Sequence, residues 1–558
     1  MTERAGAATS PRLSRRELLG VALLGVVLAL ALHWPLPLHM GRDIAQDLGD
    51  PLVQAWQIAW DGHALAHQPT ALFQANTFWP MRDSLAVSDA LVGYAPAGLI
   101  GEGTRAAVAR YDVLFLFAYA LCFAGAWLLA RELGSGRAGA AVAGSAFAYA
   151  PWRLEQEGHM HVISSGGIPL ALFLLVRGYR RSSPGTILAG WLVATWQFSL
   201  GFTLGLMVAY LAAAGTLAGA VVWWRRGRPR APRPVVAATA AGMACLALAA
   251  ALLARPYLRI LDRHPEAERT IEDVAAFSGP PYEFLVAARS SRVWGDATAP
   301  LRDGLGAIPE MTLFPGLAIL LLALAGWRLG ESLPRRLRGG LAIGVLAFAV
   351  LSLGFQLNGV SWLYPYRWLY EFLPGWQGIR VPGRLHTLTT LCLALLAAAG
   401  AQALAARVRA RWGARAAAGA VVLGVAAILA EGWGLAQHPT VPLAPAGQRA
   451  APQPALHLPA AAPDNRRYVL WSTDGFPDIV NGRGSFMPRH FEATIRATRS
   501  FPDARSVAYL RRMGVRSVTV HLARTPPGSP LRGASTRSLR GLDLERTRRG
   551  TVVLFVLR

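Results

Sequence analysis

Long apolar runs dominate this sequence and restrict the folds that it can adopt. A helix needs about 17 to 25 mostly apolar residues to cross a bilayer. Eleven runs approach this length, at roughly 17–36, 108–130, 137–151, 162–177, 185–200, 202–224, 234–255, 312–328, 339–355, 385–406 and 415–435. Only 16% of the 558 residues are charged and the mean hydropathy is +0.33. This pattern predicts a mainly α-helical, polytopic membrane protein with about eleven transmembrane helices.

The basic residues orient the predicted helices. The chain has no Lys, so all 56 basic residues are Arg, a bias typical of a high-GC bacterial genome. The Arg residues cluster at alternate ends of the apolar runs, and the positive-inside rule then predicts a cytoplasmic amino terminus and an external carboxyl terminus. The net charge of +24 follows from this topology, so nucleic acid is not an expected partner. We expect the protein to lie in a bacterial cytoplasmic (inner) membrane.

The same topology divides the chain into domains. Residues 1–435 form a transmembrane domain whose external segments are 37–107, 152–161, 256–311 and 356–384. A Pro/Ala-rich linker at 436–463 follows, and the alternating apolar residues of SVTVHL and TVVLFVL predict strands in an external α/β domain at 464–558. The stretch FPDARSVAYLRRMG in that domain predicts an amphipathic helix. The domain contains no catalytic motif, so its expected role is to bind or cover the membrane site.

Three carboxylates follow the first apolar run, in GRDIAQDLGDPLVQAWQIAW. Gly49 and Pro51 predict that a loop ends and a helix starts near Asp50, because Pro favours the first turn of a helix. The Trp-rich, amphipathic sequence that follows is typical of a helix at a membrane surface. Asp43 and Asp47 precede Asp50 in the loop. Asp50 is therefore a candidate active-site acid, and the alternative is that it only caps the helix.

The second external segment, PWRLEQEGHMH, concentrates acids and histidines between two spans: Glu155, Glu157, His159 and His161. Ionisable groups so close to hydrocarbon are costly, and they indicate function. The residue types suit a divalent cation or general acid/base chemistry. A solvated loop remains the alternative.

Further charged residues lie at the predicted external ends of spans. Arg255 and Arg259 end the seventh span, and Arg380 and Arg384 precede the tenth. Arg is uncommon on the external side, and a pair at i and i+4 on one helix face offers donors for a lipid phosphate or pyrophosphate. Binding to ordinary headgroups is the alternative for each Arg. Glu310, just ahead of the eighth span, is a candidate site residue or an interfacial anchor.

Several of these stretches together resemble a known superfamily. DLGDPLVQAWQIAW, NTFWPMRDSLAVSDALVG, PWRLEQEGHMH, LFPGLAILLLALAGW and LPGWQGIRVPGRLH resemble the GT-C membrane glycosyltransferases, in particular a bacterial branch related to lipoteichoic-acid glycosylation proteins. The resemblance implies transfer of a sugar, with inversion, from a polyprenyl-phosphate carrier to an envelope glycan or lipid acceptor on the external face. It further implies that a first-loop carboxylate acts as base. Asp50 matches that position best, and Asp47 is second.

The resemblance also raises the question of a metal ion. Some relatives hold a divalent cation, Mg or Mn, with paired acids of the second external loop and an acid of a later loop, and Glu155, Glu157 and Glu310 occupy comparable places. The candidate metal ligands are Asp50, Glu155 and Glu310. This chain has Glu-x-Glu where Asp-x-Asp is usual and no recognisable acceptor-sequon motif, which leaves metal dependence and a peptide acceptor open. Two other functions stay open as well, a lipid-linked sugar transporter and a non-catalytic envelope assembly protein.

Overall fold

A computed structural model describes residues 10–227, 232–356, 364–435, 437–445 and 451–558. Parts of the predicted linker, of the external segment 356–384 and of the Arg-rich stretch 225–233 lie outside the described residues. The helices are α1 (Arg15–Leu32), α2 (Asp50–His67), α3 (Ala95–Gly98), α4 (Gly103–Leu133), α5 (Arg137–Ala148), α6 (Met160–Ile163), α7 (Gly167–Arg180), α8 (Pro184–Ser199), α9 (Phe202–Arg225), α10 (Arg233–Arg263), α11 (Ile271–Ala275), α12 (Ala299–Arg302), α13 (Leu317–Leu329), α14 (Arg335–Ser352), α15 (Pro365–Phe372), α16 (His386–Glu431), α17 (Ala462–Trp471), α18 (Arg489–Ala497) and α19 (Ala504–Arg512). The strands are β1 (Ala455–Leu458), β2 (Ser517–His521), β3 (Leu544–Arg549) and β4 (Val552–Leu557).

The chain divides into two compact units. The helical unit comprises Met1–Pro35, Phe115–Ala251 and Arg269–Ala436, and the mixed unit comprises Leu36–Leu114, Leu252–Glu268 and Gln437–Arg558. The mixed unit therefore combines the first external segment with the carboxyl-terminal region.

Helices occur at all the predicted spans, which confirms the mainly α fold of a membrane protein. Five helical segments of the described residues are long and apolar enough to cross a membrane: Gly103–Leu133, Met160–Arg180, Phe202–Arg225, Arg233–Arg263 and Pro382–Glu431. The predicted tenth and eleventh spans are the two halves of α16, and they meet at Gly413, whose φ of 84° and ψ of −179° are not helical. At about 1.5 Å per residue, α5 is only about 18 Å long, so its crossing of the membrane stays a prediction.

Glycines allow α13 and α16 of the helical unit to approach closely. A Cβ added at Gly326 would lie 1.8 Å from the carbonyl oxygen of Leu396, and one added at Gly400 would lie 1.9 Å from that of Leu322. Small residues at such crossings are the usual means of packing helices in membranes, where burial of apolar surface provides little driving force.

The mixed unit contains a four-stranded sheet in the order β1-β2-β4-β3. The β1 strand pairs with β2 in parallel, and the other pairings are antiparallel, with Val518 opposite both Leu456 and Phe555. Strands β2 and β4 and helix α19 confirm the predicted elements. The capping box of α19, formed by Asp503 and Ser506, explains its start. The β1 strand lies in residues that the sequence analysis places in the linker.

The core of this sheet includes residues of the first external segment. Phe78 and Val87 are buried with Val518 and Phe555, and the rings of Phe78 and Phe491 pack edge to face at 5.5 Å. Backbone hydrogen bonds link the same regions, because Phe78 N donates to the carbonyl oxygen of Asn481 at 3.1 Å. The first external segment is thus part of the hydrophobic core of the carboxyl-terminal region.

Candidate active site

Asp50 is the first residue of α2, as the sequence predicts. The N-cap is Gly49, and no side-chain hydrogen bond caps the helix. Asp50 therefore does not cap α2, which contradicts the alternative to a role in the active site. Most of α2 is buried in the mixed unit, with Trp56 and Trp60 in a cluster that also contains Val469. The expected surface helix is therefore covered by protein, because its Trp-rich face packs against other parts of the chain.

The Asp50 carboxylate faces arginines of the carboxyl-terminal region. Nη2 of Arg466, on α17, donates to Oδ1 of Asp50 at 3.3 Å, and the Asp50 side chain stays 47% exposed. Burial and the neighbouring charge of Arg466 lower the pKa of Arg483, whereas Asp50 raises it. Arg466 and Arg483 were not among the predicted site residues, because their approach to Asp50 depends on the tertiary fold.

The two preceding acids have local partners. Oδ1 of Asp47 accepts a hydrogen bond from the backbone N–H of Gly49 at 2.6 Å, which shapes the turn before α2. Asp43 accepts two hydrogen bonds from the guanidinium of Arg42 and one from the hydroxyl of Thr440. The Arg42 hydrogen bond lowers the pKa of Asp43 despite its burial. Asp43 and Asp47 thus have partners within or near the loop, whereas Asp50 forms an ion pair with Arg466 of the carboxyl-terminal region.

Asp83 is a buried acid that the sequence analysis did not assign to the site. Nε and Nη2 of Arg259 donate to its two carboxylate oxygens at 3.0 and 2.6 Å, and Arg263 donates to Oδ2 at 3.2 Å. Asp83 has a φ of 55°, in the left-handed region, and its backbone N–H donates to Gln74. Arg259, one of the predicted phosphate ligands, is therefore engaged with a carboxylate. No local sequence pattern connects residues so far apart.

In the helical unit, residues from two other predicted external segments converge on Glu310. Nη2 of Arg384 donates to Oε1 at 2.8 Å, and Nε2 of Gln156 donates to Oε2 at 3.3 Å. His159 Nε2 lies 3.8 Å from Oε1. Burial alone would raise the pKa of Glu310, but Arg384 and His159 lower it to about 2. Glu310 is thus a buried, charged group and not an interfacial anchor.

The acid and histidine segment is mostly buried, which contradicts the solvated-loop alternative. Glu157 Oε1 lies 3.4 Å from Nε2 of His33, and Glu155 Oε1 accepts a hydrogen bond from the backbone N–H of Arg289 at 3.1 Å. Burial raises the pKa of Glu155. His161 is buried at the start of the second long apolar segment. The fold draws this segment inward because Trp152 and its neighbours form part of the core.

The arginines predicted to bind phosphate differ in their exposure and in their contacts. Arg255 and Arg259 both lie on α10, as expected, and Arg255 is exposed. Arg380 precedes the short 3-10 helix Pro382–Leu385 that contains Arg384, so the expected single helix face does not form. The guanidinium of Arg380 instead lies over the ring of Phe277, 4.4 Å from its centroid. The Val381–Pro382 sequence explains the break, because the residue before Pro disfavours helical angles.

Two further buried acids were missed by the sequence analysis. Glu283 of the helical unit is 1% exposed, and burial raises its pKa to about 9. Asp61 on α2 of the mixed unit is fully buried, its pKa is raised well above the usual range by burial, and both carboxyl oxygens have no hydrogen-bond partner in the described residues. Glu283 is therefore a neutral carboxylic acid near pH 7, and the raised pKa of Asp61 favours its neutral form as well.

The described side chains do not fit a divalent cation. No group of three His, Cys, Asp or Glu residues in the described part of the chain is arranged to hold one. Both oxygens of Glu310, one of the predicted ligands, already accept hydrogen bonds from Arg384 and Gln156. Oxygen ligands of Mg²⁺ or Mn²⁺ must be available to the ion. We therefore assign no chemical step to a metal ion.

Neither a protein-family model nor a curated protein matches this chain. Solved structures with some similarity include the archaeal oligosaccharyltransferase AglB from Archaeoglobus fulgidus, in complex with an inhibitory peptide and a dolichol-phosphate (TM-score 0.43, 13% identity, 98% of this chain and 75% of that chain). ArnT from Cupriavidus metallidurans is similar in the apo state (TM-score 0.46, 14% identity, 96% and 98%) and bound to undecaprenyl phosphate (TM-score 0.41, 13% identity, 96% and 98%).

Proposed function

We propose that this chain is a GT-C type membrane glycosyltransferase. It moves a sugar from a polyprenyl-phosphate carrier to an envelope glycan or lipid acceptor on the extracytoplasmic face of the bacterial inner membrane. The resemblance of its motifs supports the class of reaction, and the setting of Asp50 supports the site.

The observation that carries the proposal is the exposure of Asp50 at the start of a buried helix. Its carboxylate is fixed in place by α2 and is still 47% exposed, so an acceptor hydroxyl can reach it. A general base must come within hydrogen-bond distance of the proton that it accepts. Asp47, the second candidate, lies in the turn before α2, where its carboxylate accepts a hydrogen bond from the backbone N–H of Gly49.

The reaction then proceeds as a displacement at the anomeric carbon. The acceptor oxygen forms a bond to that carbon while the bond from the carbon to the phosphate oxygen breaks, and the phosphate leaves with the electron pair. The acceptor hydroxyl proton moves to the Asp50 carboxylate. Attack opposite the leaving group inverts the configuration. Positive charge near the phosphate stabilises the negative charge that develops on it.

The predicted phosphate ligands are retained with different roles. Arg255, which is exposed on the part of α10 in the mixed unit, and Arg380 of the helical unit are each proposed as contacts of a carrier phosphate. Arg259 of the mixed unit binds the carboxylate of Asp83, and Arg384 of the helical unit binds that of Glu310, so each is proposed to act as part of an ion pair. Glu155, Glu157, His159 and His161 are proposed to position Glu310 and Arg384 within the helical unit.

Transfer of radiolabelled sugar from a panel of polyprenyl-phosphate sugars by the purified full-length protein tests the proposal. We expect Asp50→Asn to lose at least about 100-fold of the transfer rate, the range that a general base contributes. Asp262→Asn is the matched control, because Asp262 is exposed on α10. Transfer by Asp50→Asn at the rate of the control would exclude Asp50 as base, and consumption of no donor would exclude the transferase.

A further inference from the structure

Two arginines of the carboxyl-terminal region lie near the carboxylate of Asp50, and one of them forms an ion pair with it. Arg466 donates to Asp50 at 3.3 Å, and Arg483 is close enough for the charges of both residues to affect its pKa. The Nε of Arg466 is buried and has no hydrogen-bond partner in the described residues. Arg483 is half-buried, and it donates no hydrogen bond within the same part of the chain.

Tight backbone packing fixes the position of Arg483. A Cβ added at Gly482 would lie 2.4 Å from the ring of Phe78, and one added at Gly484 would lie 2.4 Å from Cγ1 of Val87. The backbone N–H of Ser485 also donates to the carbonyl oxygen of Val87 at 3.0 Å. Arg483 thus lies between two glycines that pack on the first external segment, and these contacts fix the backbone from which its side chain extends.

The charges of this cluster do not balance. Two guanidinium groups and one carboxylate leave one net positive charge in a partly desolvated position, where like charges repel and an unpaired cation is costly. An oxyanion with several acceptor atoms would satisfy the free donors of Arg483 and Arg466 together. Guanidinium groups suit phosphate in particular, since their planar donors can bind two of its oxygens.

We propose that Arg466 and Arg483 bind a phosphate group of a substrate beside Asp50. The proposal rests on the proposed function in taking that phosphate to belong to a sugar donor or to an anionic acceptor. The carboxyl-terminal region then contributes substrate-binding side chains beside Asp50, which is the binding role that the sequence analysis expects for it. Asp50, hydrogen-bonded to Arg466, is held next to the bound phosphate.

Binding to the full-length protein in phosphatidylcholine nanodiscs tests the site without turnover. One arm titrates undecaprenyl phosphate as the lipid source of phosphate, and the other titrates sn-glycerol 3-phosphate as the water-soluble source. We expect Arg483→Gln to weaken binding of one of these two probes about tenfold, as loss of a charged hydrogen-bond pair to phosphate would. Arg483→Lys, which keeps the charge, should bind with intermediate affinity.

Arg496→Gln is the matched control, since Arg496 is exposed on α18 and, in the described part of the chain, pairs with Glu492 on the same helix at 3.8 Å. The probe that is affected identifies the source of the phosphate. Unchanged affinity of Arg483→Gln for both probes would overturn the inference, as would failure of the wild type to bind either. If the wild type transfers sugar and Arg483→Gln binds both probes as the wild type does, only this inference is overturned. If the wild type transfers no sugar but Arg483→Gln binds phosphate more weakly, the transferase is overturned and the phosphate site is retained.

Discussion

Glu310 and Glu283 are both buried acids of the helical unit, yet their charge states differ. Glu310 has the guanidinium of Arg384 at 2.8 Å, whereas burial raises the pKa of Glu283 to about 9. The local partner therefore decides whether each carboxyl group stays charged. The sequence places both residues in the external segment 256–311, but it cannot show which of them meets a cation.

Replacing Glu310 should destabilise the helical unit strongly. In Glu310→Gln, Arg384 remains as a buried charge without its carboxylate, so we expect the free energy of unfolding to fall by about 3–5 kcal/mol. The exposed pair of Arg367 and Glu371 provides the control, because Glu371→Gln should cost less than about 1 kcal/mol. Chemical denaturation in detergent at pH 7 measures both. Equal losses in the two variants would contradict the ion pair at Glu310.

The loss of stability caused by Glu310→Gln should depend on pH. The pKa of Glu310 is lowered from 4.5 to about 2 in the folded protein, so its contribution is present above about pH 4.5. As the pH falls from about 4.5 towards 2 the contribution is lost, because the unfolded chain takes up the proton first. The difference in stability between wild type and Glu310→Gln should therefore shrink over that range. A stability difference that does not change between pH 4.5 and pH 2 would contradict the lowered pKa of Glu310.

Glu283 should show the opposite dependence. Its folded pKa of about 9 lies above the usual 4.5, so folding at neutral pH requires uptake of a proton. This costs about 3 kcal/mol at pH 7 and the cost grows as the pH rises towards 9. Glu283→Gln should raise the melting temperature at pH 8 and change it little at pH 4.5. A variant that melts below wild type at pH 8 would show that the carboxyl group has a charged partner.

At the scale of elements, the sequence predicts the helices better than the strands. Apolar runs are visible without tertiary information, and each predicted span contains a helix. Strand β3 was missed because LERTRR carries charges on both faces, which suits an edge strand but gives no alternation. Strand β1 was missed because four residues between prolines at 454 and 459 are too short for a periodic signal.

The contact of α13 with α16 provides a prediction at this scale. Gly400→Ala should destabilise the protein by about 1–3 kcal/mol, because the new methyl group would overlap the carbonyl oxygen of Leu322. Gly419→Ala on the same helix is the control, since no described atom lies within 4 Å of its added Cβ, and Ala is the better helix former. Melting temperatures of the two variants, measured in the same detergent, test this difference in stability. A stable Gly400→Ala would mean that the helices are farther apart.

At the scale of the whole molecule, the mixed unit combines residues that are far apart in the sequence. Phe78 and Val87 lie in one hydrophobic cluster with Val518 and Phe555. The sequence analysis identified the first external segment and the carboxyl-terminal region as separate parts, since no local pattern encodes contacts over such separations. For the same reason it identified Asp50 as a candidate but not Arg466 or Arg483.

Removal of the sheet should therefore expose the first external segment. In a chain that lacks residues 455–558, we expect backbone amides in 73–87 to lose protection, because the partners of Phe78 and Val87 are gone. Hydrogen exchange with mass spectrometry measures this, and α7 of the helical unit serves as internal reference. Unchanged protection of 73–87 would show that the first external segment folds without the sheet.

The order of the strands also affects how the protein is made. Strand β4, which pairs with both β2 and β3, is synthesised after the other described elements. Val87 precedes it by roughly 465 residues, or about 20 to 90 s at about 5–20 residues per second. Throughout that time the apolar side chains of the first external segment lack their native partners. Synthesis of this protein thus includes an interval in which a chaperone can bind these apolar side chains before the sheet buries them.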